Sequence, residues 1–264
     1  MRDKEVNKEL LGKAAIVTGV SRLEGMGAAF CRTLARGGAS VFFTYWSNYD
    51  KGMPWGKKES DPEILLQELK RFGMAHGMME LNLAEADSYA RLFDEAERTV
   101  GSPSILVNNA CYSVNDTIAT FTAEHLDKHY EINVRATSML CVEFARRWNG
   151  VSGGRIINMT SGQSKGPMAG ELAYAATKGA IDALTVTFSE EVGEQGITVN
   201  AINPGPTDTG WMNEETHKHL AARFPSGRVG MPDDAARLVH FLASDQSEWI
   251  TGQIIHSEGG FKRG

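Results

Sequence analysis

The segment TGVSRLEGMG, residues 18–27, lies between an apolar run, AAIV, and AAFCRTLAR, whose apolar residues recur at helical spacing. Where a strand hands over to a helix, glycines let the backbone turn sharply, and the first N–H groups of the helix face an anion such as a pyrophosphate. A tight turn that only packs the helix onto its sheet calls for the same residues. Position separates the two readings. This turn opens the first of several strand–helix units, the place where an open sheet has its ligand crevice, so dinucleotide binding is favoured.

Outward from that turn the pattern repeats. Short apolar and β-branched runs (AAIVT, SVFFTY, MMELNL, SILVNN, RIINMT, ITVNAIN, QIIHSE) alternate with longer segments of helical periodicity, among them PEILLQELKRF, DSYARLFDEAERTV and ELAYAATKGAIDALTVTFSEEV. Near-continuous apolar strands want cover on both faces, which right-handed helical crossovers supply. The expected fold is α/β, a doubly wound Rossmann-type parallel sheet of about seven strands in a single domain spanning 1–264. Residues 46–62, WSNYDKGMPWGKKESDP, read as an irregular loop insertion after the second strand, with packing as its default role.

Composition narrows the function classes. The chain has 264 residues, 42% hydrophobic and 23% charged, with a formal charge of −6, which suits a compact globular protein and argues against a nucleic-acid binder. MRDKEVNKELLGK at the N-terminus has no apolar segment of signal-peptide type, and no run approaches roughly 18 apolar residues, so a cytoplasmic location away from membranes is expected. Cys31, Cys111 and Cys141 are widely spaced and read as buried thiols. His125 and His129 sit four apart, a spacing zinc can use, but without a third ligand they read as a solvated helix face, and no metal is expected.

Tyr174 and Lys178, in YAATK, share one face of a helix. An ammonium beside a phenol favours phenolate, drawing the tyrosine from about 10 toward the working range and letting it exchange a proton with a carbonyl oxygen. Ser161 follows RIINMT at the carboxyl end of a strand, on the ligand side of such a sheet.

These motifs together resemble the short-chain dehydrogenase/reductase family over nearly the entire chain. The family's turn is T-G-x-x-x-G-x-G; here five residues, VSRLE, separate Gly19 from Gly25, two more than usual, before Gly27. A longer turn also occurs in the family's divergent enoyl reductases. Those use a wider tyrosine-to-lysine spacing and lack the serine, so carbonyl reduction is preferred to reduction of a C=C bond. The resemblance implies a tetrad of Asn133, Ser161, Tyr174 and Lys178. Tyr174 protonates the developing alkoxide, Ser161 bonds the same oxygen, Lys178 tunes the phenol and holds the nicotinamide ribose, and Asn133 positions a proton-relaying water.

It also implies a cofactor site: Gly19, Ser21, Arg22, Gly25, Met26 and Gly27 in the turn; Tyr45; Asn82, replacing the usual Asp against the adenine amine, with Leu83; Asn109 and Ala110 beside the adenine, where Cys111 replaces a glycine; and Pro204, Gly205, Thr207 and Thr209 around the nicotinamide. Tyr45 stands where an NAD site carries Asp or Glu, and no carboxylate follows until Asp50. With Arg22 at hand this predicts NADPH over NADH, since guanidinium pairs well with a 2′-phosphate, unless Arg22 merely reaches into solvent.

Residues 211–229 occupy the place of the family's substrate-covering helices, and Trp211, Met212 and Phe224 line an apolar pocket or belong to the core. Among family members the chain resembles the β-ketoacyl-(acyl-carrier-protein) reductases, which implies a small-molecule or carrier-bound carbonyl substrate and a homotetramer or dimer. Arg146 and Arg147 are candidates for docking an acidic carrier, whereas Glu190, Glu191 and Glu194 replace basic residues there. Reduction of another ketone, oxidation of a sugar or secondary alcohol, and a nonenzymatic NADP-binding sensor or scaffold are the other readings.

Overall fold

The computed structural model describes residues 8–53, 55, 56, 58 and 60–263. Residues 1–7 of the polar N-terminal stretch, and Pro54, Lys57 and Glu59 of the 46–62 segment, lie outside the described residues. Seven strands, β1 (Ala14–Val17), β2 (Ser40–Tyr45), β3 (His76–Glu80), β4 (Ile105–Asn108), β5 (Gly154–Met159), β6 (Ile197–Asn203) and β7 (Ile254–His256), form one sheet in the order β3-β2-β1-β4-β5-β6-β7. Every pairing is parallel. This is the doubly wound Rossmann-type sheet, in one domain, that the alternating runs predict.

Strand alternation explains the two cores. Ala15, Val17, Val41, Phe43, Ile105 and Val107 point to one face, beneath α1 (Met26–Arg36), α3 (Asp61–Lys70) and α9 (Pro232–Ala243). Ile16, Phe42, Leu106 and Ile156 point to the other, where Leu92 and Phe93 of α4 (Ser88–Val100) meet Leu140 and Phe144 of α6 (Thr137–Arg147). With both faces covered, the central strands β1, β4, β5 and β6 are buried along their whole length, and AAIV of β1 is apolar throughout.

After β4 the chain forms α5 (Ala123–His129), a π-helical turn (Tyr130–Ala136) and α6 in unbroken succession. The 46–62 segment is not wholly irregular: α2 (Ser47–Lys51) follows β2 at once, and α3 begins at Asp61. The third strand ends earlier than MMELNL suggests, because the Asn82 side chain accepts from Ala84 N at 3.1 Å and turns the chain. Residues 211–229 contain a helix, α8 (Glu214–Ala221), and the catalytic-motif helix is α7 (Leu172–Glu191). Among the described residues no helix is long and apolar enough to cross a membrane.

A polar chain runs through the interior behind the site. Asn108 Nδ2 donates to Asn158 Oδ1 at 2.8 Å, and Asn158 Nδ2 donates to the Thr185 hydroxyl at 3.0 Å, tying β4, β5 and α7 together. All three residues are buried, so removing the middle one takes the donor from the Thr185 hydroxyl and leaves Asn108 Nδ2 with the Cys141 sulfur, at 3.3 Å. Asn158→Ala is therefore expected to lower the unfolding free energy by about 1–3 kcal/mol, read as a reduced urea midpoint with unchanged slope.

Candidate active site

The strand order reverses between β1 and β4, and the crevice outside their carboxyl ends is a cleft of about 590 Å³. On its floor Gly19 has φ +72°, and a Cβ there would stand 2.5 Å from Ala110 Cα. Gly27 faces Asn109 Nδ2 and the Gly19 carbonyl, each 2.9 Å from a would-be Cβ. The two glycines thus keep backbone exposed in a cradle that side chains would fill. α1 begins at Met26 with no side-chain cap and no acidic residue in its first turn, leaving N–H groups for an anion. By this test the residues fit a dinucleotide.

The turn is fastened to β4. Thr18 Oγ1 accepts from the N–H groups of Asn109 and Ala110 at 3.1 and 3.0 Å, and Asn109 Nδ2 donates to the carbonyls of Thr18 and Gly19, both at 2.9 Å. Asn109 thus holds the glycine turn with its side chain while also lining the cleft. Asn82 lines the cleft too, but with its oxygen turned back to Ala84 N rather than outward as an adenine acceptor.

The two added residues of the turn have a structural use. Leu23 N donates to Asp61 Oδ2 at 3.0 Å, Arg32 Nη1 donates to the Leu23 carbonyl at 2.8 Å, and Arg22 Nη1 donates to the Thr209 carbonyl at 2.9 Å. Arg22 also lies over the Trp55 ring, 4.4 Å from its centroid, with Asp50 Oδ1 at 3.9 Å from its Nε. It is therefore fixed on the cleft wall and does not trail into solvent. Asp50 is buried and accepts from Trp55 Nε1 at 2.8 Å.

Thus the segment 46–62 contributes a wall, not only packing. Tyr49, Asp50 and Trp55 line the cleft, and the Tyr49 ring meets Tyr112 across it at 5.6 Å. Sequence reasoning missed them because their placement depends on α2 folding back over the crevice. Three aromatics and a carboxylate directly after β2 were the available signal.

Ser21, Gly25, Met26, Tyr45, Leu83, Ala110 and Thr209 also line the cleft. Pro204, Gly205 and Thr207 do not. Thr207 is buried, donates to the Gly205 carbonyl at 3.1 Å and bridges to Gly230, so this stretch anchors the 211–229 segment behind the cleft. Within 211–229, Phe224 is core, packed on Phe261 at 5.0 Å; Trp211 is half exposed, its Nε1 donating to the Thr207 carbonyl.

Tyr174 lines the cleft. Burial is the main cause that pushes its phenol above the ordinary tyrosine range, with the neighbouring Cys111 adding to it and a hydrogen bond with Ser161 opposing it. Lys178 Nζ lies 5.6 Å from the centre of the Tyr174 ring and donates to the Met159 carbonyl at 2.8 Å. The expected lowering of the phenol by lysine is thus not the dominant influence here; desolvation outweighs it and raises the phenol. Asn133, in the π-helical turn, receives Tyr112 N at 2.8 Å and donates to the Tyr112 carbonyl at 2.9 Å and to Thr177 Oγ1 at 3.1 Å. It clamps the post-β4 backbone to α7, and a π-turn is a common way to aim such a side chain.

Two further expectations are corrected. Cys31 and Cys141 are buried thiols, burial pushing Cys141 up to about 12, but Cys111 is only half-buried and lines the cleft beside Tyr174. His129 is fully buried, not solvated: its Nδ1 meets the His125 carbonyl at 2.7 Å, its Nε2 receives Val114 N at 3.3 Å, and its ring stands edge-on to Tyr112 at 4.8 Å.

A family model described as "Enoyl-(Acyl carrier protein) reductase" matches residues 19–262. The chain is 49% identical over 254 residues to the uncharacterized oxidoreductase YjdA of Bacillus subtilis (strain 168), covering 96% of this chain and 98% of that one. It is 34% identical to an NADPH-dependent aldehyde reductase-like chloroplastic protein of Arabidopsis thaliana, over 96% of this chain and 95% of that one. Among solved structures, a blue fluorescent protein from a metagenomic library in complex with NADPH superposes with a TM-score of 0.86 at 31% identity, over 97% of this chain and 100% of that one.

The cradle gives a direct test. Gly19→Ala forces a side chain into a left-handed backbone against Ala110, and should cost about 1–3 kcal/mol of stability and weaken NADPH binding at least about tenfold, measured by nucleotide fluorescence titration. Unchanged binding would contradict a close backbone approach.

Proposed function

The chain belongs to the short-chain dehydrogenase/reductase family, and from that premise we propose that it is an NADPH-dependent carbonyl reductase. One observation carries the reading: Tyr174, half-buried, with Ser161 close enough to act on its phenol and Lys178 Nζ 5.6 Å from its ring centre, lines the same cleft as Arg22. The cofactor, when bound, supplies a hydride to the carbonyl carbon. Tyr174 gives its proton to the carbonyl oxygen as charge develops there, and Ser161 bonds the same oxygen, so that neither donor has to reorganise during the step. Lys178, 3% exposed and anchored on Met159, sets an ammonium near Tyr174 that stabilises the phenolate left when the proton is given up. Asn133 keeps α7 in register with the wall at Tyr112.

Preference for the 2′-phosphorylated cofactor rests on Arg22, which α2 and Trp55 hold ready on the cleft wall, and on Tyr45, which brings no carboxylate to the end of β2. NADPH in the name of one relative and in the complex of a structural neighbour supports it.

A 3-oxoacyl thioester is the first substrate to test, following the resemblance to the β-ketoacyl-(acyl-carrier-protein) reductases; the family model shares the acyl carrier but is described for an enoyl reductase. Its docking would fall to Arg146, because Arg147 is occupied by Asp94, Glu97 and Glu143. A homotetramer in the cytoplasm completes the proposal. The exposed apolar side chains of Leu126, Tyr130, Met139 and Val186, on α5 through α7, supply surface for association.

NADPH oxidation followed optically across acetoacetyl thioesters, sugars and simple diketones tests the activity. Turnover of a carbonyl is expected; tight NADPH binding with no reduction anywhere on the panel would favour a sensor. Tyr174→Phe should reduce turnover at least about 1000-fold with cofactor affinity within about twofold. Arg22→Ala should weaken NADPH by roughly tenfold or more and leave NADH little changed; equal losses for both would remove the phosphate role.

A further inference from the structure

Ser161 opens a loop, residues 161–166, that leaves the end of β5 with glycine at 162 and 166. On the α7 side the loop is held by side chains. Asp182 Oδ1 accepts from the Thr160 hydroxyl and Asp182 Oδ2 from Gln163 Nε2, both at 2.5 Å. On the opposite side the two glycines present bare backbone.

That bare face is covered from the far end of the chain. The Arg263 guanidinium lies on Gly162 so closely that a Cβ there would fall within it, and a Cβ on Gly166 would meet Arg263 Cδ at 3.2 Å. Arg263 is itself fixed by a two-pronged pair with Glu258, Nη1 to Oε1 at 2.7 Å and Nη2 to Oε2 at 2.6 Å. Glu258 also accepts from Asn203 Nδ2, at the end of β6, at 2.7 Å, and its side chain is only 9% exposed. The intervening residues are not loose. Lys262 N donates to the Arg223 carbonyl at 3.0 Å, Arg223 Nε donates to the Lys262 carbonyl at 2.9 Å, and Phe261 packs on Phe224.

We propose that Arg263, held by Glu258, is a positioning residue for the reaction: it closes the glycine face of the 161–166 loop and so fixes the direction in which Ser161 meets Tyr174. Asp182 constrains the loop from one side only, and a backbone with two adjacent-turn glycines has more conformations to lose than any other. A planar guanidinium, already oriented by a bidentate carboxylate, covers that backbone with little further loss of freedom. The same tail contacts Arg223 and Phe224, which end the segment after α8, so it sets the post-β5 loop and the 211–229 segment against each other. A carboxylate and an arginine five residues apart, in SEGGFKR, are the only sequence trace of this arrangement.

The proposal rests on the carbonyl-reductase reading for the role of Ser161, and two measurements separate it from that reading. The first is amide hydrogen exchange of residues 161–166 in the full-length protein, wild type against Arg263→Ala, Arg263→Lys and Glu258→Gln. The second is NADPH oxidation by the same proteins with the best carbonyl of the panel, alongside NADPH affinity. Arg263→Ala is expected to speed exchange in 161–166 at least about tenfold and to lower kcat at least about tenfold, with NADPH Kd within about twofold. Arg263→Lys, which keeps the charge but not the plane, should recover only part of kcat, and Glu258→Gln should reproduce the Arg263→Ala exchange pattern in a protein that retains Arg263. Unchanged exchange in 161–166, or a loss of kcat matched by an equal loss of NADPH affinity, overturns the proposal. Wild-type protein that reduces no carbonyl overturns the reading of function instead, and the exchange result still decides whether Arg263 holds the loop.

Discussion

The backbone of Gly19 lies against Ala110 with no room for a side chain between them, and the cleft exists because of that contact. It joins the ends of β1 and β4, the two strands between which the strand order reverses. Thr18 and Asn109 lock it with four hydrogen bonds made partly through backbone and partly through side chain. If those strand ends drifted apart, α1 would lose its aim at the anion and the post-β4 backbone its fixed distance from α7. The glycine at 19 is thus both a conformational necessity, at φ +72°, and a steric one.

From that joint the chemistry is reached in two steps. The post-β4 backbone passes to Tyr112, which Asn133 holds with paired hydrogen bonds, and Asn133 in turn reaches Thr177 on the helix that carries Tyr174 and Lys178. Tyr174 and Lys178 are therefore carried on α7 against the sheet, while Ser161 and the glycine turn come from loops at the strand ends. Burial then sets the chemistry. Taking the phenol out of water stabilises its neutral form, and the nearby cation is placed to assist the proton transfer, not to ionise the group in advance.

Much of this was legible in the sequence, for definite reasons. AAIV is apolar throughout because both faces of its strand are covered, and Tyr174 with Lys178 at helical spacing must share a face. The legible parts depend on local period. What escaped depends on distant partners. Residues 46–62 look irregular, yet they place Trp55 over Arg22 and Tyr49 beside Tyr112, contacts between segments that no local pattern relates. His129 was read as solvated because the wall it packs against, Tyr112 and Val114, arrives from another loop. The expected shift of Tyr174 erred similarly: spacing gives the lysine but not the extent of desolvation.

The central claim is that hydride goes to a carbonyl carbon while Tyr174 protonates the oxygen. An α,β-unsaturated ketone incubated with NADPH deuterated at the transferring position of C4 puts that claim at risk directly, because the product records where the hydride landed. Proton and deuterium NMR should find the label on the carbinol carbon of an allylic alcohol, with the hydroxyl proton drawn from solvent. Deuterium on the β-carbon of a saturated ketone would show that the site reduces C=C bonds, and would contradict the account.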